Sequence, residues 1–324
     1  MRVLRWTDRN QIPAGYGPTV VTLGNFDGVH RGHVEVLRRM AARARELGGR
    51  AVAVTFSPHP AVVHRPDRPP RLVTGDADRL ELLAQTGLDA TLVVPYDLEF
   101  ARQTPRQFVL DYLVRPLNAS VVVVGRDVRF GLDNSGDLDT MVALGREFGF
   151  EVEVVEDHAH DDDGARRWSS SWVRELLVAG DVRGAAQVLG RPHRMRGIVV
   201  RGDQRGRELG FPTANLGPDA TGMVPADGVY AGWLRVLDAP GGDSRAATPL
   251  PAAVSVGTNP TFDGVERRVE AYVLDRTDLE LYGREVVVEF VARLRDTLRF
   301  DSVADLVARM HADVAAVAGE LAES

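Results

Sequence analysis

Short β-branched runs alternate with segments of helical periodicity in the first half of the chain, and this alternation restricts the fold more than any other feature. Apolar residues recur at helical spacing, as at Val34, Leu37 and Met40, in the intervals between the runs. The runs predict five strands, at residues 19–23, 51–56, 91–94, 120–124 and 151–155. Strands that alternate with helices predict a doubly wound parallel sheet, in which ligands bind beyond the carboxyl ends of the strands.

The second half has a different pattern, in which short apolar runs are separated by Gly, Pro and Asp turns. These runs lie at residues 197–200, 229–237, 252–256, 268–274 and 285–290. They predict antiparallel strands that close into a small barrel, followed by a terminal helix with Ser302 as its N-cap. Because 324 residues are about twice the size of one domain, we expect domains at residues 1–186 and 187–324.

A proline-rich stretch and a polar connector interrupt the first half. Residues 57–75 contain five prolines, which predicts a long loop without regular structure. Thr104 and Pro105 predict the N-cap and first turn of a helix. His158, His160 and the aspartates that follow lie in the polar connector without metal-ligand spacing, so we interpret them as a solvated loop.

Two absences from the composition exclude several chemistries. All 39 residues counted as Lys+Arg are arginine, so a Walker A lysine and a Schiff-base amine are excluded. Cysteine is absent too, which excludes thiol nucleophiles, thiolate metal sites and disulfides and favours a cytoplasmic location. With a net charge of −7 and no signal-peptide-like or membrane-spanning run, we expect a soluble protein without nucleic-acid or membrane partners. The oligomeric state stays open.

The segment GNFDGVHRGH, residues 24–33, joins the first clearly predicted strand to the first clearly predicted helix. Gly24 and Gly28 permit a tight turn, and the following helix N-terminus attracts an anion, of which phosphate is the natural candidate. His30 and His33 lie three apart, so both imidazoles can point the same way and donate to a phosphate in the transition state. The alternative is a glycine turn that carries two surface histidines.

This segment resembles the H-x-G-H signature of nucleotidylyl transferases, and its longer form is similar to bacterial FAD synthetases. TFSPHP at residues 55–60 and SSSWVR at residues 169–174 resemble further elements of that family. The resemblance implies a Rossmann-like domain whose ATP site includes Gly24, Phe26, Asp27, Gly28, His30, His33, His59, Gly125, Asp127, Phe130, Gly131, Ser170, Ser171 and Arg174. The Arg174 guanidinium is expected to bind the leaving pyrophosphate. Arg126 and Val128 depart from the family pattern around residues 125–136.

A second phosphate-binding pattern opens the barrel region. Gly202 and Gly206 allow backbone amides to surround phosphates, with Arg205 and Arg207 close by in sequence to supply charge. The segment then continues as Pro212-Thr213-Ala214-Asn215. In an extended chain the side chains of Thr213 and Asn215 project to one side, and both offer oxygen ligands suited to a magnesium nucleotide. A solvated glycine- and arginine-rich connector is the alternative.

P-T-A-N resembles the hallmark of riboflavin kinases, and three later segments, at residues 225–230, 257–262 and 269–275, are similar to that family in the same order. Glu270 lies in an alternating strand on the face opposite Val269 and Ala271, and the resemblance assigns it as the base for the riboflavin 5′-hydroxyl. The chain is thus identified as a member of the bifunctional riboflavin kinase/FAD synthetase family. Mg²⁺, ATP, riboflavin, FMN and FAD are the implied cofactor, substrates and products. A kinase that has lost adenylylation and a non-catalytic flavin- or nucleotide-binding regulator are the alternatives.

Overall fold

The computed structural model describes residues 1–5, 12, 16–155, 166–202, 206, 209–237, 242–261 and 264–323. These residues separate into two compact units. The first unit comprises Met1–Pro70 and Asp78–Trp168, and the second comprises Arg71–Ala77 and Ser169–Ser324.

The first unit is built on a six-stranded sheet whose paired strands all run parallel. Its strands are β1 (Arg2–Arg5), β2 (Thr19–Leu23), β3 (Arg50–Ser57), β4 (Ala90–Pro95), β5 (Ala119–Gly125) and β6 (Glu151–Val155). Their order across the sheet is β1-β4-β3-β2-β5-β6. The predicted doubly wound parallel sheet is confirmed, with the predicted strands matching to within one residue at each end. Strand β1 was not predicted, because it has only four residues and a single fully buried side chain, Leu4.

Helices connect these strands and cover both faces of the sheet. They are α1 (Arg31–Glu46), α2 (Pro60–His64), α3 (Asp76–Ala84), α4 (Pro105–Phe108) and α5 (Leu138–Phe148). Alternate residues of β2 and β5 enter two separate hydrophobic clusters: Val21 and Val122 lie in one, whereas Val20 and Val121 lie in the other. Burial on both faces is the property expected of a doubly wound sheet.

Two predictions about local structure in this unit have different outcomes. The predicted helix start at Thr104 is confirmed, since Thr104 and Gln107 form a capping box around Pro105. The prediction that residues 57–75 lack regular structure is wrong for α2. There a proline occupies the first helical position, where its fixed φ and missing N–H are tolerated.

The second unit begins with two helices and continues as a closed antiparallel barrel. The helices are α6 (Ser170–Ala179) and α7 (Val182–Leu189). The strands are β7 (His193–Val200), β8 (Thr213–Leu216), β9 (Gly228–Val236), β10 (Leu250–Thr261), β11 (Gly264–Val273) and β12 (Glu285–Arg295), in the barrel order β10-β11-β8-β7-β12-β9. The predicted barrel is confirmed, and the chain then forms the predicted terminal helix, α8 (Val303–Ala322), capped by the Ser302 hydroxyl.

Alternation along β11 decides which side chains leave the barrel interior. Val269, Ala271 and Val273 are each at most 3% exposed, whereas Glu270 is half-buried on the opposite face. The terminal helix α8 packs Val317 against the outside of the barrel. Within the described ranges, no helix combines the length and apolarity that crossing a bilayer would require.

Candidate active sites

The loop after β2 is a strained and buried turn. Phe26 and Val29 have φ values of 50° and 41°, and Gly28 between them has φ of 82°. A β-branched residue such as Val29 rarely adopts this conformation, which persists only where the surroundings enforce it. Phe26, Gly28 and Val29 are all buried. Asp27 is 3% exposed. A Cβ on Gly24 would lie 3.0 Å from the Phe26 ring, so a side chain there would fit only if that ring shifted.

The two histidines of this loop form a stacked pair at the N-terminus of α1. Their ring centroids are 3.6 Å apart with an interplanar angle of 22°, and the edge of Phe26 packs against His33 at 5.3 Å. His30 is the N-cap of α1, where its Nδ1 accepts the His33 amide at 3.4 Å. The structure therefore brings both imidazoles to one point, but that amide already has a partner within the chain.

The loop after β3 contains the next predicted residue, His59. It is buried and caps α2, with its Nδ1 accepting the Ala61 amide at 3.1 Å. The structure thus gives His59 a capping role, and a contact with ligand stays a prediction. A residue that the sequence did not indicate, Arg79, donates to the backbone carbonyl of Asn25 in the loop after β2 and to that of Phe56 at the carboxyl end of β3. No sequence signal marks it, because Arg79 lies outside every motif.

The loop after β5, which contains Arg126 and Val128, is compact. Phe130 and Gly136 exchange two backbone hydrogen bonds, of 3.1 and 2.9 Å. Gly131 has φ of 73°, and a Cβ there would lie 2.6 Å from the backbone of the Pro105 turn, so only glycine is accommodated. Gly125 is the last residue of β5, and a Cβ at this position would lie 3.0 Å from the Asp127 carboxylate. Asp127 is exposed and pairs with Arg167 at 2.9 Å.

Sheet topology indicates where a ligand binds in this unit. From β2 the chain proceeds through α1 to β3 on one side, whereas β5 pairs with β2 on the other side. The strand order therefore reverses between β2 and β5. In open parallel sheets ligands bind in the crevice at such a switch point, outside the carboxyl ends of the strands. The histidine loop after β2 and the glycine loop after β5 both lie there.

The serine- and arginine-containing motif belongs to the second unit. Ser169 caps α6 by accepting the Trp172 amide at 3.2 Å, which places Ser170 and Ser171 in the first helical turn. Arg174 donates through Nε to the backbone carbonyl of Arg71 at 2.8 Å. The predicted part of these residues in the nucleotide site stays a prediction.

Strand pairing in the barrel brings the three predicted kinase residues together. In the β8–β11 ladder Asn215 lies opposite Glu270, and Thr213 lies opposite Tyr272. The Thr213 hydroxyl donates to Glu270 Oε2 at 3.3 Å, and the Asn215 amide donates to the Thr213 hydroxyl at 3.2 Å. A carboxylate, a hydroxyl and an amide therefore form one connected group on the outer face of the barrel.

Two cavities lie next to this group and share Asn215 as a lining residue. One of about 610 Å³ is lined by Gly202, Pro212, Thr213 and Asn215, among others. A second of about 240 Å³ shares Gly202 and Asn215 and adds the arginines Arg201, Arg267 and Arg268.

Close packing explains the glycines of the phosphate-binding pattern in the barrel. A Cβ on Gly202 would lie 2.6 Å from Asn215 Oδ1, and one on Gly206 would lie 2.5 Å from the Phe211 carbonyl oxygen. Position 206 therefore needs glycine because a Cβ there meets backbone, whereas a Cβ at Gly202 would displace the Asn215 side chain. Arg205 and Arg207 lie outside the described residues, as do His158, His160 and the aspartates next to them.

A partly exposed carboxylate anchors the β10–β11 hairpin, which carries Glu270. Asp227 accepts from the Thr258 hydroxyl at 2.6 Å and from Arg267 Nη2 at 2.6 Å. Burial raises the pKa of Asp227, but the hydrogen bonds from Thr258 and Arg267 outweigh it and leave that pKa below its ordinary value. In β7, burial lowers the pKa of His193 to about 4. At neutral pH its Nε2–H therefore donates to the Met223 carbonyl at 2.7 Å.

Comparison with known proteins matches the two halves to two families. A family model for FAD synthetase matches residues 13–171, and a model for riboflavin kinase matches residues 189–321. The chain is 35% identical over 294 residues to the bifunctional riboflavin kinase/FMN adenylyltransferase of Escherichia coli strain K12. That alignment covers 91% of this chain and 90% of the relative. The chain belongs to the bifunctional riboflavin kinase/FMN adenylyltransferase family.

Other similar proteins also align over most of this chain. The Listeria monocytogenes bifunctional riboflavin kinase/FMN adenylyltransferase is 34% identical over 310 residues, which cover 95% of this chain and 91% of that one. A crystal structure described as a macrolide-efflux protein from Streptococcus pneumoniae superposes with a TM-score of 0.83 at 31% identity, covering 97% of both chains. The stacked histidines lie within the residues that match the FAD synthetase model, and Thr213 and Glu270 lie within those that match the riboflavin kinase model.

Proposed function

We propose that the chain makes FAD from riboflavin and two molecules of ATP, first phosphorylating riboflavin to FMN and then transferring AMP to FMN. The membership of both halves in the bifunctional family supports this sequence of reactions. We assign adenylyl transfer to a functional domain at residues 1–186 and phosphorylation to one at residues 187–324. Riboflavin, FMN and ATP are the proposed small-molecule partners, and the cytoplasm is the proposed location.

The geometry of Glu270 carries the proposed kinase step. Its carboxylate accepts from the hydroxyl of Thr213, and Thr213 lines the cavity of about 610 Å³, so Glu270 is held next to a space that a substrate hydroxyl can enter. The riboflavin 5′-oxygen attacks the γ-phosphorus of ATP, Glu270 takes the hydroxyl proton, and the bond from the γ-phosphorus to the β-phosphate oxygen breaks. ADP leaves with that electron pair. A positioned base typically contributes about 10²- to 10⁴-fold to such a step.

The donor set next to Glu270 suits a magnesium ion held jointly with nucleotide phosphates. Thr213 and Asn215 supply neutral oxygen donors within one hydrogen-bonded group. Among the described residues, no three His, Asp or Glu side chains cluster as a metal site. Mg²⁺ typically takes one or two protein ligands and completes its shell with phosphate oxygens and water. When bound, Mg²⁺ would neutralise phosphate charge, and Thr213 and Asn215 are the residues that would hold it.

Adenylyl transfer needs charge stabilisation rather than a covalent intermediate. A phosphate oxygen of FMN attacks the α-phosphorus of ATP, the bond to the β-phosphate oxygen breaks, and pyrophosphate leaves with the electron pair. His30 and His33, stacked at the N-terminus of α1, donate hydrogen bonds as negative charge develops. The Arg174 guanidinium is proposed to bind the leaving pyrophosphate.

A time course with purified protein, riboflavin, ATP and Mg²⁺ tests the proposal, with the flavins separated by chromatography. FMN that rises and then converts to FAD is the expected result. FMN that accumulates without FAD would reduce the function to riboflavin kinase and would indicate that Arg126 and Val128 disable adenylylation. Binding of flavin or nucleotide without any product would contradict the proposal and favour a regulator.

A further inference from the structure

One buried arginine joins the loop after β2, which carries His30 and His33, to the carboxyl end of β3, after which His59 follows. Arg79 lies in α3 and is 3% exposed. Its Nη1 donates to the carbonyl oxygen of Asn25 at 3.0 Å, and its Nη2 donates to the carbonyl oxygen of Phe56 at 2.8 Å. The planar guanidinium fork holds two acceptors at a fixed separation, which a single ammonium group does not do.

The Asn25 carbonyl controls the strained part of the histidine loop. Asn25 precedes Phe26, whose φ is 50° and whose ring packs on His33 at 5.3 Å. The hydroxyl of Thr55, which is fully buried in β3, donates to the same carbonyl oxygen at 3.4 Å. A shift of this carbonyl therefore moves the backbone that places Phe26 and, through it, the stacked imidazoles.

The Phe56 carbonyl controls the neighbouring loop. Phe56 lies near the end of β3, and three residues later His59 is buried as the cap of α2. By holding both carbonyls, Arg79 fixes the loop after β2 relative to the carboxyl end of β3, from which the chain continues to His59.

We propose that Arg79 is a positioning residue for adenylyl transfer, which acts on His30, His33 and His59 through the two backbone carbonyls it binds. The inference rests on the proposed adenylyltransferase function. Displacements of about 1 Å in groups that stabilise a transition state cost up to about 10²-fold in rate. Loss of the two-point bond is therefore expected to lower turnover while ATP binding is largely retained.

The test is steady-state FAD formation from supplied FMN and ATP by the Arg79→Lys variant of the full-length protein. We expect kcat to fall about 10- to 100-fold, with KM for ATP within about threefold of wild type. Riboflavin phosphorylation by the same preparation is expected to stay at the wild-type rate. Arg50→Lys is the matched control, because Arg50 also donates to a backbone carbonyl, that of Tyr16, but at the amino end of β3.

The outcomes distinguish positioning from a purely structural role. Wild-type kcat in Arg79→Lys would overturn the inference alone, whereas wild-type protein that makes no FAD from FMN would overturn the proposed function and this inference with it. Equal losses of both activities with a lower unfolding temperature would show that Arg79 only stabilises the fold. If Arg79→Lys does not fold, Thr55→Val removes a donor from the same Asn25 carbonyl, and unchanged kcat in that variant would contradict the proposal.

Discussion

Replacing His30 with asparagine separates its two roles, capping α1 and donating to the reacting phosphate. Its Nδ1 accepts the His33 amide at 3.4 Å, and asparagine is among the best residues for that capping bond. His30→Asn should therefore leave the free energy of unfolding within about 0.5 kcal/mol of wild type. Alanine removes the cap as well, so His30→Ala should cost about 1 kcal/mol more.

The catalytic loss should be the same in both variants, because each lacks the imidazole. Removal of one preorganised donor at a developing negative charge typically lowers kcat by about 10²- to 10³-fold, which is about 3 to 4 kcal/mol of transition-state stabilisation. We expect that loss in FAD formation from FMN and ATP, with riboflavin phosphorylation unchanged.

The assay combines urea unfolding with initial rates of FAD formation for wild type, His30→Asn and His30→Ala. His64→Asn serves as the control, because His64 is exposed and bonds the Tyr96 hydroxyl at 2.7 Å outside the proposed site. Wild-type kcat in His30→Asn would refute the donor role. Equal stability of the asparagine and alanine variants would refute the capping role.

Three further predictions concern the kinase part. Glu270→Gln keeps the shape of the side chain but not the base, so kcat for FMN formation should fall about 10²- to 10⁴-fold in a coupled ADP assay; a loss below tenfold would argue against the base role. Gly202→Ala would displace the Asn215 side chain, since the new Cβ meets its Oδ1 at 2.6 Å, and should lower kcat/KM for ATP at least about tenfold; unchanged ATP kinetics would contradict the proposed placement of Asn215. The pKa of His193 is about 4 in the folded chain, below the ordinary 6.5, so the unfolded chain takes up a proton first as the pH falls. The contribution of His193 to the free energy of unfolding should thus be fully present above pH 6.5, and the free energy should be lower by about 2 to 3 kcal/mol at pH 4.5. Urea titrations at both pH values measure this loss, which should be absent from His193→Gln.

Much of the fold follows from the sequence because the buried strands have strong local signals. The strands β2 and β6 occupy the predicted residues, since each is a compact β-branched run between turn residues. The sequence did not reveal β1 or α2, which are short and owe their structure to pairing with β4 and to the cap supplied by His59. Such short elements are stabilised by tertiary contacts more than by propensity.

The candidate sites were predictable where chemistry lies in a contiguous motif. Thr213 and Asn215 share a face because they are two residues apart in a strand, and their approach to Glu270 adds only one strand pairing. Arg79 was not predictable, since its role depends on carbonyls 54 and 23 residues away in the chain. Backbone acceptors carry no side-chain signature, so contacts of this kind become visible only in the structure.

Paired half-reaction assays test the central claim, that two separate sites in one chain make FMN and then FAD. The variants are His30→Ala combined with His33→Ala, and Glu270→Ala, each supplied either with riboflavin or with FMN, together with ATP and Mg²⁺. The histidine variant should form FMN from riboflavin but no FAD, and the Glu270 variant should form FAD from FMN but no FMN from riboflavin. Loss of both activities in either correctly folded variant would contradict the account.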